Sequence, residues 1–317
     1  MSRSLRLVHC VAIAFCVLVF EACNRKPEVE RKQGFVEVPG GKIWYEVIGA
    51  EKKKTPLLLL HGGPGFTSDY LRPLAALANE RPVIFYDQLG AGRSDRPQDT
   101  SLWNIDRFVT ELELLCEHLK LDTLHLFGHS WGTMLTTQYL TKSPKGIKTL
   151  ILAGPCLNAQ QWIKDTNLLR SQLPQAIQDS LKWHEDKGTT SSPGYIQATD
   201  EFYKRYFCRI PFTPDVQKSF DEQSLSVYNT MWGNNEFTAT GNLKNFNRTD
   251  VLHTISVPTL FTCGRFDEAT PATTQAYAAQ VKNSEVVVIE DASHQSMNEK
   301  PDEYVKVVRE FLGRNER

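Results

Sequence analysis

Short, continuously apolar runs alternate with segments of helical spacing along most of the chain. An apolar run bounded by glycine-rich turns is typical of a strand buried on both faces of a sheet, and residues 104–119 carry apolar side chains along one helix face. A hairpin from Phe35 precedes them. The pattern therefore predicts an α/β fold with a mostly parallel sheet and helices on both faces. The predicted buried strands contain TPLLLL, RPVIFY, LHLFG, TLILAG, VPTLFT and SEVVVI.

The alternation stops between Cys156 and Asn245. That stretch is rich in helix formers, aromatic residues and glutamine, and strand–loop units resume after it. We therefore predict a core domain in two parts, residues 34–155 and 246–317, interrupted by a mainly helical cap over residues 156–245.

Composition places few limits on function. The 317 residues are 41% hydrophobic and 23% charged, with a net charge of −1, which is ordinary for a soluble domain. Basic and aromatic residues form no stripe, so nucleic acid is not expected as a partner. The four cysteines after residue 100 lack metal-ligand spacing and are expected to be small buried hydrophobes.

The first 23 residues have the pattern of a secretory signal. Two arginines precede an apolar run from Leu7 to Phe20, which is shorter than a membrane span. Cys23 follows a small residue, as in a bacterial lipobox, and residues 24–33 would form a tether. We expect an exported protein of the periplasm or cell envelope, anchored by lipid on Cys23. Ordinary signal cleavage and an uncleaved anchor are the alternatives.

The sequence GHSWG at residues 128–132 predicts a serine nucleophile at Ser130. It lies between an apolar strand and a helix, where a tight G-x-S-x-G turn holds the hydroxyl at the sheet edge. The helix N-terminus behind the turn favours developing negative charge. The alternative is a serine that merely caps the helix.

A catalytic serine needs a base and an orienting acid, which in this kind of fold follow it as acid and then histidine. Asp267 and His294 each follow a predicted strand and satisfy that order. His294 would move the proton and Asp267 would hold its imidazole. His129, inside the turn, is interpreted as a packing residue.

The glycine-rich HGGPG at residues 61–65 predicts the oxyanion hole. The expected donors are the N–H groups of Gly63 and of Trp131, the residue after the nucleophile. The sequence contains no metal or cofactor motif, and this chemistry requires neither a metal nor a cofactor.

Five motifs together resemble the proline iminopeptidases and tricorn-interacting aminopeptidases of the α/β-hydrolase superfamily. The resemblance extends from Phe35 to the C-terminus and implies an α/β-hydrolase fold with a cap and aminopeptidase activity. It also implies that Glu236 and Glu268 bind the substrate amine. The motifs are HGGPG, FYDQLGAGRSD, GHSWGT, GRFDEATP and SHQSMNEKP.

The adjacent acids Asp267 and Glu268 suggest two different tasks. Neighbouring residues in an extended loop point in different directions, so Glu268 can face the substrate while Asp267 faces His294. A buried ammonium group requires carboxylate partners, and Glu236 from the cap would supply the second. A surface salt bridge for Glu268 and a solvated carboxylate for Glu236 are the alternatives.

The expected function is a serine aminopeptidase that releases N-terminal proline, or another hydrophobic residue, from short peptides. An amino-acid amidase or esterase of the same fold is the nearest alternative, and a non-catalytic binding lipoprotein is an alternative of another class. Epoxide hydrolases and dehalogenases are disfavoured because they use aspartate where Ser130 stands. The sequence indicates no oligomeric state.

Overall fold

The computed structural model describes residues 29–316. The predicted signal peptide, Cys23 and the first part of the tether lie outside the described residues. Eight strands form one sheet in the order β1-β2-β4-β3-β5-β6-β7-β8. Their bounds are β1 Arg31–Val38, β2 Gly41–Ile48, β3 Leu57–Leu60, β4 Val83–Asp87, β5 Leu124–His129, β6 Ile147–Ala153, β7 Thr259–Gly264 and β8 Ser284–Ile289.

The sheet is mostly parallel, which confirms the predicted fold class. Strands β1 and β2 pair antiparallel, β2 also pairs antiparallel with β4, and the remaining neighbours are parallel. Strand β1 begins at Arg31, so residues 31–33 belong to the sheet although the sequence assigned them to the tether. The side chains of residues 31–33 are polar and exposed, so the sequence does not indicate a strand there. Their backbone nevertheless pairs with residues 46–48 of β2.

Helices cover both faces of the sheet. In β3, Leu58 and Leu60 belong to one hydrophobic cluster and Leu57 and Leu59 to the other, because alternate side chains of a strand face opposite sides. All four residues of this strand are buried, which explains why it appears in the sequence as a continuous apolar run. The helices of the core are α1 Ile105–His118, α2 Trp131–Leu140, α8 Pro271–Ala278, α9 Ser296–Glu299 and α10 Pro301–Arg314.

Five helices lie between β6 and β7 in the chain and form the cap. They have a small hydrophobic cluster of their own, built around Phe202 and Leu181. The backbone of the cap is also bonded to the core: the N–H groups of His294 and Gln295 donate to the carbonyls of Tyr206 and Phe207. The cap helices are α3 Ala159–Arg170, α4 Gln175–Asp186, α5 Pro193–Tyr206, α6 Pro214–Asp221 and α7 Leu225–Met231.

The parallel strands end at one edge of the sheet, and the predicted site residues follow them there. Gly63 comes after β3, Ser130 after β5, Asp267 after β7 and His294 after β8. This is the edge at which α/β sheets bind ligands. Within residues 29–316, no helix has both the length and the apolar character needed to cross a bilayer.

Candidate active site

Ser130 lies on a strained turn between β5 and α2. Its backbone has φ 54° and ψ −121°, a conformation that costs free energy for any residue except glycine. A Cβ at Gly128 would lie 2.5 Å from the Gly132 carbonyl oxygen, and a Cβ at Gly132 would lie 2.2 Å from the Leu60 oxygen. Both glycines are therefore required by close packing, and the turn holds the serine at the sheet edge.

His294 is joined to Asp267 by a buried hydrogen bond. The distance from His294 Nδ1 to Asp267 Oδ1 is 2.7 Å, and both side chains are at most 2% exposed. The Ala269 N–H donates to the same carboxylate at 2.7 Å and the Gly264 N–H at 3.2 Å. These bonds fix the orientation of the acid, which in turn fixes the imidazole.

The hydrogen bond that would complete the triad is not formed in this structure. Among the described residues, none links Ser130 Oγ to His294 Nε2. Catalytic hydrogen bonds are often long without substrate and tighten in the reacting complex. The structure thus joins two of the three predicted triad members directly and places the third at the end of β5, which β6 separates from β7 at the same edge of the sheet.

Glu268 lies on the other side of the imidazole from Asp267. Its Oε1 is 3.7 Å from His294 Nε2, and its side chain is 2% exposed. Among residues 29–316, Oε2 has no hydrogen-bond partner. Burial raises the pKa of Glu268 well above its usual value, and the negative charges of Glu236 and Asp267 raise it further. The raised pKa favours the neutral, protonated form of Glu268 in the free protein, and one of its oxygens lacks a hydrogen-bond partner among residues 29–316.

Glu236 reaches the same region from the loop after α7. Its Oε2 accepts from Trp162 Nε1 at 3.2 Å, and its Oε1 accepts from the Tyr228 hydroxyl. Burial raises the pKa of Glu236, while these two bonds and His294 oppose the shift. Two glutamates from different domains thus share one electrostatic environment around His294.

A narrow cavity adjoins Ser130. Gly63 and Trp131, the predicted oxyanion donors, line it together with Glu236. Trp131 is the first residue of α2, so its N–H has no acceptor inside the helix. The adjacent Gly62 N–H donates to the Tyr70 hydroxyl at 2.6 Å and is already engaged.

The remaining walls of the cavity are mainly apolar. Trp232 is part of its wall, whereas two phenylalanines close to the sequence motifs are not. Phe237 packs against Phe202 inside the cap, and Phe66 packs against Phe220. Three further wall residues were not predicted. Met134 lies on α2 four residues after Ser130, but only packing decides which way it faces, and Cys156 and Trp162 come from a distant segment without a local motif.

His129 makes specific hydrogen bonds, which packing alone does not require. Its Nε2 is 3.0 Å from the His294 carbonyl oxygen, so this nitrogen must donate. Its Nδ1 then accepts from the Tyr70 hydroxyl at 2.9 Å, and that oxygen accepts from Gly62 N–H. Burial holds the pKa of His129 well below its usual value. The neutral ring therefore links the glycine-rich turn at residues 61–65 to the backbone of His294.

Comparison with known proteins agrees with the geometry. The profile of the alpha/beta hydrolase fold matches residues 55–301, so the chain belongs to that fold family. It is 43% identical to the proline iminopeptidase of Heyndrickxia coagulans, over 88% of this chain and 98% of the relative. It is 35% identical to the proline iminopeptidase of Saccharolobus solfataricus, over 89% and 92%.

Solved structures give the same result. The proline iminopeptidase of Mycobacterium smegmatis superposes with a TM-score of 0.84 at 34% identity, covering 90% of this chain and 99% of that one. VinJ superposes with a TM-score of 0.86 at 36% identity over the same shares. The chain belongs to the proline iminopeptidase family, which confirms the resemblance found in the sequence.

The charge on Glu268 leads to a prediction about stability. Its pKa is higher in the folded protein than in the unfolded chain, so stability is lost as the pH rises from the unfolded pKa to the folded-state pKa, and the loss persists above it. The effect vanishes below the unfolded value of about 4.3. Replacing Glu268→Gln should raise the free energy of unfolding by about 1–2 kcal/mol at pH 8 and change it little at pH 4. Thermal unfolding at both pH values measures this, and a gain of equal size at both would contradict it.

The bonds of His129 lead to a prediction about activity. His129→Leu keeps apolar bulk but removes both bonds, so kcat should fall roughly tenfold to thirtyfold, from about 1 kcal/mol for each bond. His129→Gln retains one donor and one acceptor and should recover most of that loss. Because the wild-type ring is neutral, the shape of the pH–rate profile should not change. Equal activity of the two variants would show that His129 contributes only volume.

Proposed function

We propose that this protein is a serine aminopeptidase that removes N-terminal proline from short peptides through an acyl-enzyme on Ser130. The observation that carries the proposal is the buried carboxylate of Glu268, which has an oxygen without a hydrogen-bond partner in residues 29–316. The kinship with proline iminopeptidases supports the same substrate class.

The two glutamates are suited to bind a positively charged amine. A buried ammonium group without a partner is costly, and so is a buried carboxylate. When the protonated amine of the substrate enters between Glu236 and Glu268, each charge compensates the others and the carboxylates become easier to ionise. Binding energy is therefore available only to substrates with a free, charged N-terminus.

The reaction follows from the positions of the other groups. Ser130 Oγ attacks the carbonyl of the first residue while His294 accepts its proton, and Asp267 stabilises the imidazolium. The N–H groups of Gly63 and Trp131 stabilise the oxyanion. His294 then protonates the leaving nitrogen, and the rest of the peptide departs. Water, deprotonated by His294, attacks the acyl-enzyme and releases the amino acid.

The cavity walls support a compact apolar first residue. The rings of Trp162 and Trp232 meet edge to face with centroids 6.3 Å apart, and Trp162 lies 5.6 Å from the His294 ring. A pyrrolidine ring presents apolar methylene groups to such walls and its charged nitrogen to the glutamates. Trp162 supplies an apolar wall with its ring, and its Nε1 also donates the hydrogen bond that positions Glu236.

Three p-nitroanilides test the proposal. Proline p-nitroanilide should be cleaved at least about a hundredfold faster, in kcat/KM, than N-acetyl-proline p-nitroanilide, because acetylation removes the charge that the glutamates bind. Leucine p-nitroanilide tests the preference for proline, and Ser130→Ala gives the background rate. Cleavage that ignores acetylation would replace the aminopeptidase with a general amidase or esterase. Preference for leucine would retain the aminopeptidase and withdraw proline.

We further propose that the protein is exported and anchored by lipid on Cys23. The basic start, the apolar run and the small residue before Cys23 support this, and the folded part begins nearby, at Arg31. Cells labelled with radioactive palmitate should yield a labelled protein in the membrane fraction, and Cys23→Ser should abolish the label. An unlabelled wild-type protein would contradict the anchor and favour ordinary signal cleavage.

A further inference from the structure

We propose that an apolar groove between α5 and α6 binds the first side chain of the leaving peptide and makes the enzyme prefer hydrophobic residues after the scissile bond. This inference rests on the proposed peptidase function. The groove has a volume of about 650 Å³, and its apolar lining includes Ile196, Tyr203, Ile210, Phe212 and Phe220.

The groove lies next to the catalytic histidine. Phe207, which follows α5, has its ring centroid 5.8 Å from that of His294 and 5.5 Å from that of Phe220. The carbonyl of Phe207 also accepts the Gln295 N–H at 2.8 Å, which fixes the end of α5 against the loop that carries His294. One aromatic ring thus separates the groove wall from the imidazole.

The direction of the reaction points the leaving group toward this groove. The substrate amine lies with the two glutamates, whereas the leaving nitrogen must approach His294 to receive its proton. Tyr203 lines the groove, and burial raises the pKa of its hydroxyl well above the usual value, with the charges of Glu236 and Glu268 adding to the shift. A peptide that extends past His294 therefore meets Phe207, whose ring packs against the groove wall.

The lining defines the side chain that fits. Phe212 and Phe220 stack with centroids 5.0 Å apart and an interplanar angle of 12°, and Phe212 is 37% exposed. An apolar side chain placed on them buries area that is otherwise in water. The charged lining residues are Asp200, Lys204 and Asp221, so acids outnumber bases and an acidic side chain is disfavoured.

Dipeptides with proline first and a varied second residue test the groove. The value of kcat/KM for Pro-Phe and Pro-Leu should exceed that for Pro-Gly about tenfold, and Pro-Asp should be the poorest. The preference for the second residue should appear in kcat/KM, because this parameter covers the steps up to formation of the acyl-enzyme, in which that residue departs. Equal values for Pro-Phe and Pro-Gly would overturn the inference.

Two surface variants make the test specific. Phe212→Ser should lower the ratio of kcat/KM for Pro-Phe to that for prolinamide about tenfold. Trp183→Ser removes an aromatic ring that is 56% exposed on α4, outside the groove lining, and should leave the ratio unchanged. An unchanged ratio in Phe212→Ser would overturn the inference and indicate that the groove serves another partner, such as a second copy of the chain.

Prolinamide separates this inference from the proposed function. It has the free amine and the scissile bond but no side chain for the groove. If prolinamide is cleaved and the dipeptides show no preference, the groove assignment alone fails. If neither prolinamide nor any dipeptide is cleaved, the proposed function fails and the groove assignment fails with it.

Discussion

The active site depends on one imidazole held between two buried carboxylates. Asp267 bonds to Nδ1 of His294 at 2.7 Å, while Glu268 lies 3.7 Å from Nε2 and keeps an oxygen without a partner among the described residues. Like charges this close oppose one another in a buried site. Both acids can be ionised together more easily when a cation joins them, and in the proposed function the N-terminal ammonium group of the substrate is that cation. On this proposal the adjacent residues have different tasks: Asp267 positions the imidazole, and Glu268 binds the amine of the substrate.

The cap completes this arrangement because it contributes the second glutamate and the aromatic walls. Trp162 on α3 holds Glu236 by a hydrogen bond and also faces His294, and the end of α5 is bonded to the loop that carries His294. Keeping Glu268 protonated in the buried site costs free energy at a pH where the unfolded chain would ionise it, and a bound cation would relieve that cost. The recognition of the amine and the chemistry at the carbonyl are therefore coupled through a single set of contacts.

Sequence reasoning succeeded where one physical cause dominates locally. Strands buried on both faces must be apolar, so β3 to β7 were visible, and β8, which is only partly buried at the edge of the sheet, was visible from its run of valines. The order of Ser130, Asp267 and His294 follows from strand ends that meet at one edge. It failed where contacts between segments that are distant in the sequence determine the structure. The start of β1 at Arg31 is polar and exposed, the cavity walls come from four separate segments, and the bonds of His129 depend on Tyr70 in a distant 3-10 helix. The groove was invisible because periodicity does not specify how cap helices pack.

The most direct test of the account compares Glu268→Gln with the wild type on two substrates. Proline p-nitroanilide carries a charged amine, and p-nitrophenyl acetate carries none. The variant should lose roughly ten- to hundredfold in kcat/KM on the first substrate, from about 1.5–3 kcal/mol for a bond to a charged group, and little on the second. Glu290→Gln, at an exposed acid paired with Arg265, serves as the matched control. Equal losses on both substrates would contradict the account, because Glu268 would then act through Asp267 and His294 instead of through the amine.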